Sequence, residues 1–215
     1  MFDLILAMSL LVQEQDEASP AQVMRSMEGL LDEVGGVSDD LEADSGPEST
    51  ARALVRMTEA VFANSPYSVF SMHDREEVIA QATPAMDALM NYSGGTPSDY
   101  SLDFAANAFR QSDGETTDAP FCEAGAPQTI IDQPLTDPEG HELTIRICWL
   151  GRMDPESGEL TGSFLYQLNN GIYYVQYRGG IAGPDEGGID ERLPMIERLI
   201  QPLVDHTVIR PASDD

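Results

Sequence analysis

The stretch from Gly162 to Gly179 constrains the fold more than any other. Two runs of aromatic and β-branched residues flank Asn170-Gly171, the dipeptide that best accommodates positive φ in a tight hairpin. With Asn170 and Gly171 as the central turn residues, Leu168 faces Tyr173, Tyr166 faces Val175 and Phe164 faces Tyr177. All six then share one side of the ribbon, because alternate side chains of a strand share a face. The reverse side carries Ser163, Gln167, Gln176 and Arg178, with Leu165 and Tyr174 among them. Such a sheet is apolar on one side, and the rest of the chain has to cover that side.

The preceding residues extend the pattern. Leu143, Ile145, Ile147 and Trp149 alternate with Glu142, Thr144, Arg146 and Cys148, which is a strand with one apolar face. Asp137-Pro138-Glu139-Gly140 places turn residues where a β-turn wants them, and Thr129 to Asp132 reads as a short strand before it. Together these predict a four-stranded antiparallel meander. After the glycines of 179–188, apolar residues recur at Leu193, Ile196, Leu199, Ile200, Leu203 and Val204, a helical stripe that suits a lid over the aromatic face. Pro194 falls near its first turn, and Pro202 is expected to kink or end it.

The first half changes period. Ser19-Pro20-Ala21-Gln22 is a capping box that opens a helix with Val23, Met27, Leu30, Leu31 and Val34 inward, closed by Gly35-Gly36. A solvated acidic loop follows through Asp39 to Glu48. Thr50 to Ala63 predicts a second helix burying Leu54, Val55, Ala60, Val61 and Phe62. Ser71 with Asp74 is expected to cap a third, Thr83-Pro84 to restart it with Met86, Leu89 and Met90 inward, and Asp99 to Arg110 to form a shorter fourth. The fold class is therefore α+β: helices over 19–112, then the sheet and its covering helix over 119–209, forming one domain that occupies 19–215.

Residues Met1 to Val12 form an apolar run too short to span a bilayer as a helix but of the length of an export leader. No basic residue precedes it and no Ala-x-Ala site follows; a buried first helix is the competing reading. The leader would occupy residues 1–18 and place a bacterial-type protein in the periplasm or outside the cell, and its failure would leave the protein in the cytoplasm.

Charge excludes some partners. There are 38 acidic residues against 11 basic ones, and every basic one is Arg. A net charge of −27 repels polyphosphate, so nucleic acid and anionic membrane surfaces are not expected partners. Salt adaptation or a GC-rich genome accounts for this composition without a ligand.

The motifs that could carry chemistry are few. Cys122 and Cys148 are the only cysteines, and they could bridge in an oxidising compartment or remain buried thiols in a reducing one. His73, His141 and His206 show no metal-ligand spacing, so neither a metal nor another cofactor is expected. Ser71-Met72-His73-Asp74 holds the residue types of a hydrolytic triad, but adjacency in sequence does not bring side chains together, and no Gly-x-Ser-x-Gly elbow occurs. The glycines at 179–183 make a poor phosphate loop without Lys and beside Asp185 and Glu186. Paired methionines such as Met86 and Met90 read as core filling.

The expected ligand surface is the second face of the sheet, where Arg146 and Arg178 project with Tyr174, Gln167 and Gln176 and could fork a carboxylate beside an aromatic platform. The leading expectation is a non-enzymatic, acidic, exported protein that binds a small ligand or a protein partner through this face. The alternatives are a hydrolase with a site composed of carboxylates, Ser71 and His73 or His141, and a structural envelope protein with an extensive partner interface.

Overall fold

A computed structural model of the chain describes residues 3–6, 36, 46–92, 101–110, 129–153, 160–183 and 186–211. In chain order the elements are β1 (Asp3–Leu6), α1 (Pro47–Asn64), β2 (Phe70–Met72), α2 (Arg75–Met90), β3 (Ser101–Arg110), β4 (Thr129–Thr136), β5 (Glu142–Met153), β6 (Leu160–Asn169), β7 (Tyr173–Gly183), α3 (Glu186–Asp205) and β8 (Thr207–Ile209). The fold is α+β. The main sheet runs β1-β3-β7-β6-β5-β4, antiparallel from β3 to β4 with β1 added in parallel at one edge, and β2 pairs with β8 in a separate two-stranded ribbon.

The main sheet has six strands where four were expected, the two additions, β3 and β1, lying beyond β7. Residues 101–110, expected as a helix, form β3 and pair with the whole of β7. Leu102, Phe104, Ala106 and Ala108 point into the core on a period of two, where a helix would turn Leu102, Ala105, Ala106 and Phe109 inward. Alanine decided the error: it fits a helix by propensity but packs on a sheet when a full-length partner strand is offered. Asp3–Leu6, read as part of a leader or a buried helix, are a strand beside β3.

The hairpin is present with its turn one residue later. Asn169 pairs with Tyr174, Leu168 with Val175, Tyr166 with Tyr177 and Phe164 with Gly179. Gly171 and Ile172 are thus the central residues, with positive φ at Gly171 alone among the two, as in a type II′ turn. Asn170 serves the turn through its side chain: its Oδ1 accepts the N–H of Ile172 at 3.1 Å and of Tyr173 at 2.9 Å. Moving the centre by one residue shifts each pair by two, so no side chain changes face.

All three helices pack on the apolar face. Phe104, Phe164, Tyr166, Leu168, Val175 and Tyr177 are buried in one cluster with Leu54 and Val55 of α1, Val78 and Met86 of α2, and Ile196, Leu199 and Ile200 of α3. Each such side chain stabilises by about 1.5–3 kcal/mol on burial, so this layer dominates stability. α3 lies on β6 and β7 as expected of the lid, α1 adjoins β3, and α2 packs between α1 and α3. Pro84, Pro194 and Pro202 all sit inside continuous helices rather than restarting or ending them, and Thr83 donates to Ile79 O at 2.7 Å instead of capping. Ser71 belongs to β2, and the N-cap of α2 is Asp74, in the left-handed region at φ 47° with no side-chain capping bond. The expected helix at Ser19–Gly36 and most of the loop from Asp39 lie outside the described residues, apart from Gly36 and the loop's last three, of which Pro47 and Glu48 already belong to α1 with Gly46 as its N-cap.

Candidate functional site

The outer face of the sheet, away from the helices, carries a polar row that runs across five strands. Asp132 of β4, Arg146 of β5, Gln167 of β6, Gln176 of β7 and Asn107 of β3 are cross-strand neighbours in that order. Gln167 and Gln176 are buried and joined by a 2.7 Å hydrogen bond from Gln176 Nε2 to Gln167 Oε1. Arg146 forks Asp132, with Nε to Oδ1 at 2.8 Å and Nη2 to Oδ2 at 3.2 Å. The next row holds Cys148, Leu165, Arg178 and Ala105. Tyr174 stacks on Phe109, rings 5.6 Å apart and 9° from parallel.

The five residues expected to bind a ligand thus share a face, but the register puts a whole strand between Arg146 and Arg178. Gln167, Gln176 and Tyr174 are all under a tenth exposed, as are Leu165 and Cys148, although none belongs to the helix-covered core. Burial lowers the pKa of the Arg178 guanidinium, because removal of water disfavours its charge. Cys148 is fully buried, and no cysteine among the described residues is a free thiol. Cys122 lies outside the described residues.

Of the residues weighed for hydrolysis, His141 meets a carboxylate, with Nδ1 2.9 Å from Asp137 Oδ2. Asp137 is fully buried at its side chain and accepts three backbone N–H groups as well: Glu139 and His141 through Oδ1 at 3.0 and 2.9 Å, and Ile209 through Oδ2 at 3.2 Å. Burial alone would raise its pKa, but the hydrogen bonds from His141 and Ile209 outweigh that and hold it below the ordinary carboxylate value. These contacts fasten a turn and a strand. Ser71 and His73 are elsewhere, on and just after β2, where the His73 ring stacks on His206 at 6.3 Å and 18°. Among the described residues no three His, Cys, Asp or Glu side chains gather as a metal site, and no helix is long and apolar enough to cross a membrane.

An open concavity lies between α2 and α3, a groove of about 350 Å³. Gln81, Pro84, Ala85 and Ala88 line it from α2, spaced i, i+3, i+4 and i+7; Met195, Arg198, Gln201 and Pro202 face them from α3. The small side chains of Ala85 and Ala88 leave the space, and the two prolines supply rigid apolar walls. Each proline also removes the helical N–H partner of a carbonyl four residues earlier, Ala80 O on α2 and Arg198 O on α3. The glutamines are pinned, with Gln81 Nε2 on Glu77 at 2.9 Å and Gln201 Nε2 on Asp205 at 2.7 Å. The sequence stripes predicted two apolar helix faces; that they would fail to close on each other was signalled only by the alanines and prolines.

Fold and site together define an acidic α+β protein with a helix layer on one side of its sheet and a groove within that layer. No protein-family model matches the chain, and neither a curated protein nor a solved structure matches it.

Proposed function

We propose that the protein is a non-catalytic binding protein that holds a small, largely apolar ligand in the groove between α2 and α3. The groove itself carries this reading: about 350 Å³ is within the range of small-ligand sites, and its lining of Pro84, Ala85, Ala88, Met195 and Pro202 with three polar residues at the rim has their usual composition. The test uses the fluorophore anilinonaphthalene sulfonate, an aromatic body with one anionic group. Saturable one-to-one binding that Ala88→Trp abolishes, with the fold intact by circular dichroism, supports the reading; binding indifferent to Ala88→Trp sinks it.

A second reading places the ligand or a protein partner on the outer face of the sheet, favoured by the desolvated cation at Arg178 beside Gln167, Gln176 and Tyr174. The double substitution Arg146→Ala with Arg178→Ala separates the two, since it removes binding at the sheet and leaves the groove unchanged.

Export and a Cys122–Cys148 bridge belong to the same proposal. The apolar run at the N-terminus and the absence of a free thiol among the described residues support it, whereas the pairing of Asp3–Leu6 with β3 gives that run a competing use. Intact mass after expression from the full reading frame in a bacterium, with and without reductant and a thiol label, decides: a shortened chain with two unreactive thiols supports export, and a full-length chain with two labelled thiols refutes it.

A further inference from the structure

We infer that the groove's ligand is an apolar monocarboxylate whose carboxylate is held by Arg198, an inference that rests on the groove being a binding site. In a chain with 38 acidic residues, arginines have carboxylates at hand. Arg52, Arg75, Arg146 and Arg210 hold them, and Arg192 lies 4.3 Å over the ring of Tyr92. Among the arginines with described side chains, Arg198 alone is in no ion pair, hydrogen bond or ring contact. It is exposed, and it stands at the edge of an apolar groove.

The chemistry follows from what the groove offers. Pro84, Ala85, Ala88, Met195 and Pro202 make most of its lining apolar, which suits an alkyl or aromatic body. At its rim Gln81 and Gln201 are neutral, and each already gives one amide N–H to a carboxylate, Glu77 or Asp205. Arg198 is the cationic donor of the lining, and its planar fork matches a carboxylate in two parallel N–H···O bonds. A neutral apolar ligand would leave that guanidinium unused; a cationic one would meet it as a like charge. The net charge of −27 does repel an anion at a distance, but at physiological salt that field is screened over about 8 Å, so the adjacent guanidinium governs the bound state.

The experiment titrates the full, ¹⁵N-labelled chain with octanoate and with its neutral isostere octanamide, following backbone amide shifts. The expected result is saturable movement at Ala85, Ala88, Met195 and Arg198, with octanamide about fivefold weaker and the same loss for octanoate on Arg198→Gln, the scale of an exposed charge pair. Arg198→Lys, which keeps the charge without the fork, should fall between. Because Arg198 is exposed and unpaired, its substitution leaves the fold intact. Equal binding of octanoate and octanamide, unaffected by Arg198→Gln, overturns the carboxylate while the groove stands. No shift in α2 or α3 with either compound at millimolar concentration overturns both, and shifts centred on Arg178 move the ligand to the sheet.

Discussion

Replacing Asp137 by Ala tests whether one buried carboxylate fastens the C-terminal ribbon to the sheet. Four hydrogen bonds end on it: from the N–H groups of Glu139, His141 and Ile209, and from the His141 ring. The first two donors lie in a turn that water reaches, so their loss costs about 1 kcal/mol each at most. Ile209 is fully buried, and its N–H would be orphaned at a further 1–3 kcal/mol or so. The expected total is about 3 kcal/mol, a large share of a typical 5–15 kcal/mol, and roughly a 10 °C fall in Tm for a chain of this size. Asp137→Asn should recover part of it, since one oxygen remains while the NH₂ faces either the Ile209 N–H and the His141 ring, in place of Oδ2, or the Glu139 and His141 N–H groups, in place of Oδ1. Urea unfolding at pH 7 measures the difference.

The sign of the pH effect follows from the lowered pKa. A carboxyl whose folded pKa lies below its unfolded value contributes stability above about pH 4 and loses it as pH falls through the folded value. The gap between parent and Asp137→Ala should therefore be full at pH 7 and shrink below about pH 4, whatever the other acidic residues do to both proteins. A variant within about 0.5 kcal/mol of the parent at pH 7, with the Ile209 amide still protected from hydrogen exchange, would refute the reasoning.

Two tyrosines on the same face should respond oppositely to loss of their hydroxyl. Tyr177 O–H donates to Thr207 Oγ1 at 2.6 Å, which itself donates to Leu203 O at 2.6 Å, so Tyr177→Phe should cost about 1–2 kcal/mol in thermal or urea unfolding. The Tyr166 hydroxyl is buried with no hydrogen-bond partner, so Tyr166→Phe should be neutral or stabilising by up to about 1 kcal/mol; a loss equal to that of Tyr177→Phe would contradict the geometry. Gly179→Ala should destabilise by at least about 3 kcal/mol or prevent folding, because its Cβ would lie 1.9 Å from Asp103 O and 2.7 Å from Phe164 Cζ; soluble yield and Tm report it. Asp132→Ala, which frees Arg146 from a partly exposed pair, should change stability by less than about 1 kcal/mol, and a larger loss in urea would show the outer polar row to be coupled.

How far the sequence could be read depended on whether a residue's partner was near it in the chain. The β5 alternation and the hairpin could be read because neighbouring residues set the period, and the faces of Phe164, Tyr166, Val175 and Tyr177 came out right even with the turn centre misplaced by one residue. β3 could not, since residues 101–110 become a strand by pairing with β7, some seventy residues on, and Ala105, Ala106 and Ala108 fit either structure alone. Ser71-x-x-Asp74 matched a capping box while its backbone was claimed by β8. The outer-face residues were correctly placed on one side, but their burial and mutual bonding depend on register across five strands. The groove was hidden for the same reason: it is the space left by two helices that meet only in the folded chain.

The ribbon of β2 and β8 sets a kinetic order. His73 and His206 are 133 residues apart in sequence and touch through both a backbone bond and a ring nitrogen, so this seam closes a very long loop. Contacts of that separation reward the chain only after their entropy cost has been met, and they form late. Substitutions along the seam, Asp137 included, should accordingly leave the refolding rate nearly unchanged and show themselves as faster unfolding. The ribbon would then act as a latch that sets how long the native protein lasts once formed, more than how quickly it forms.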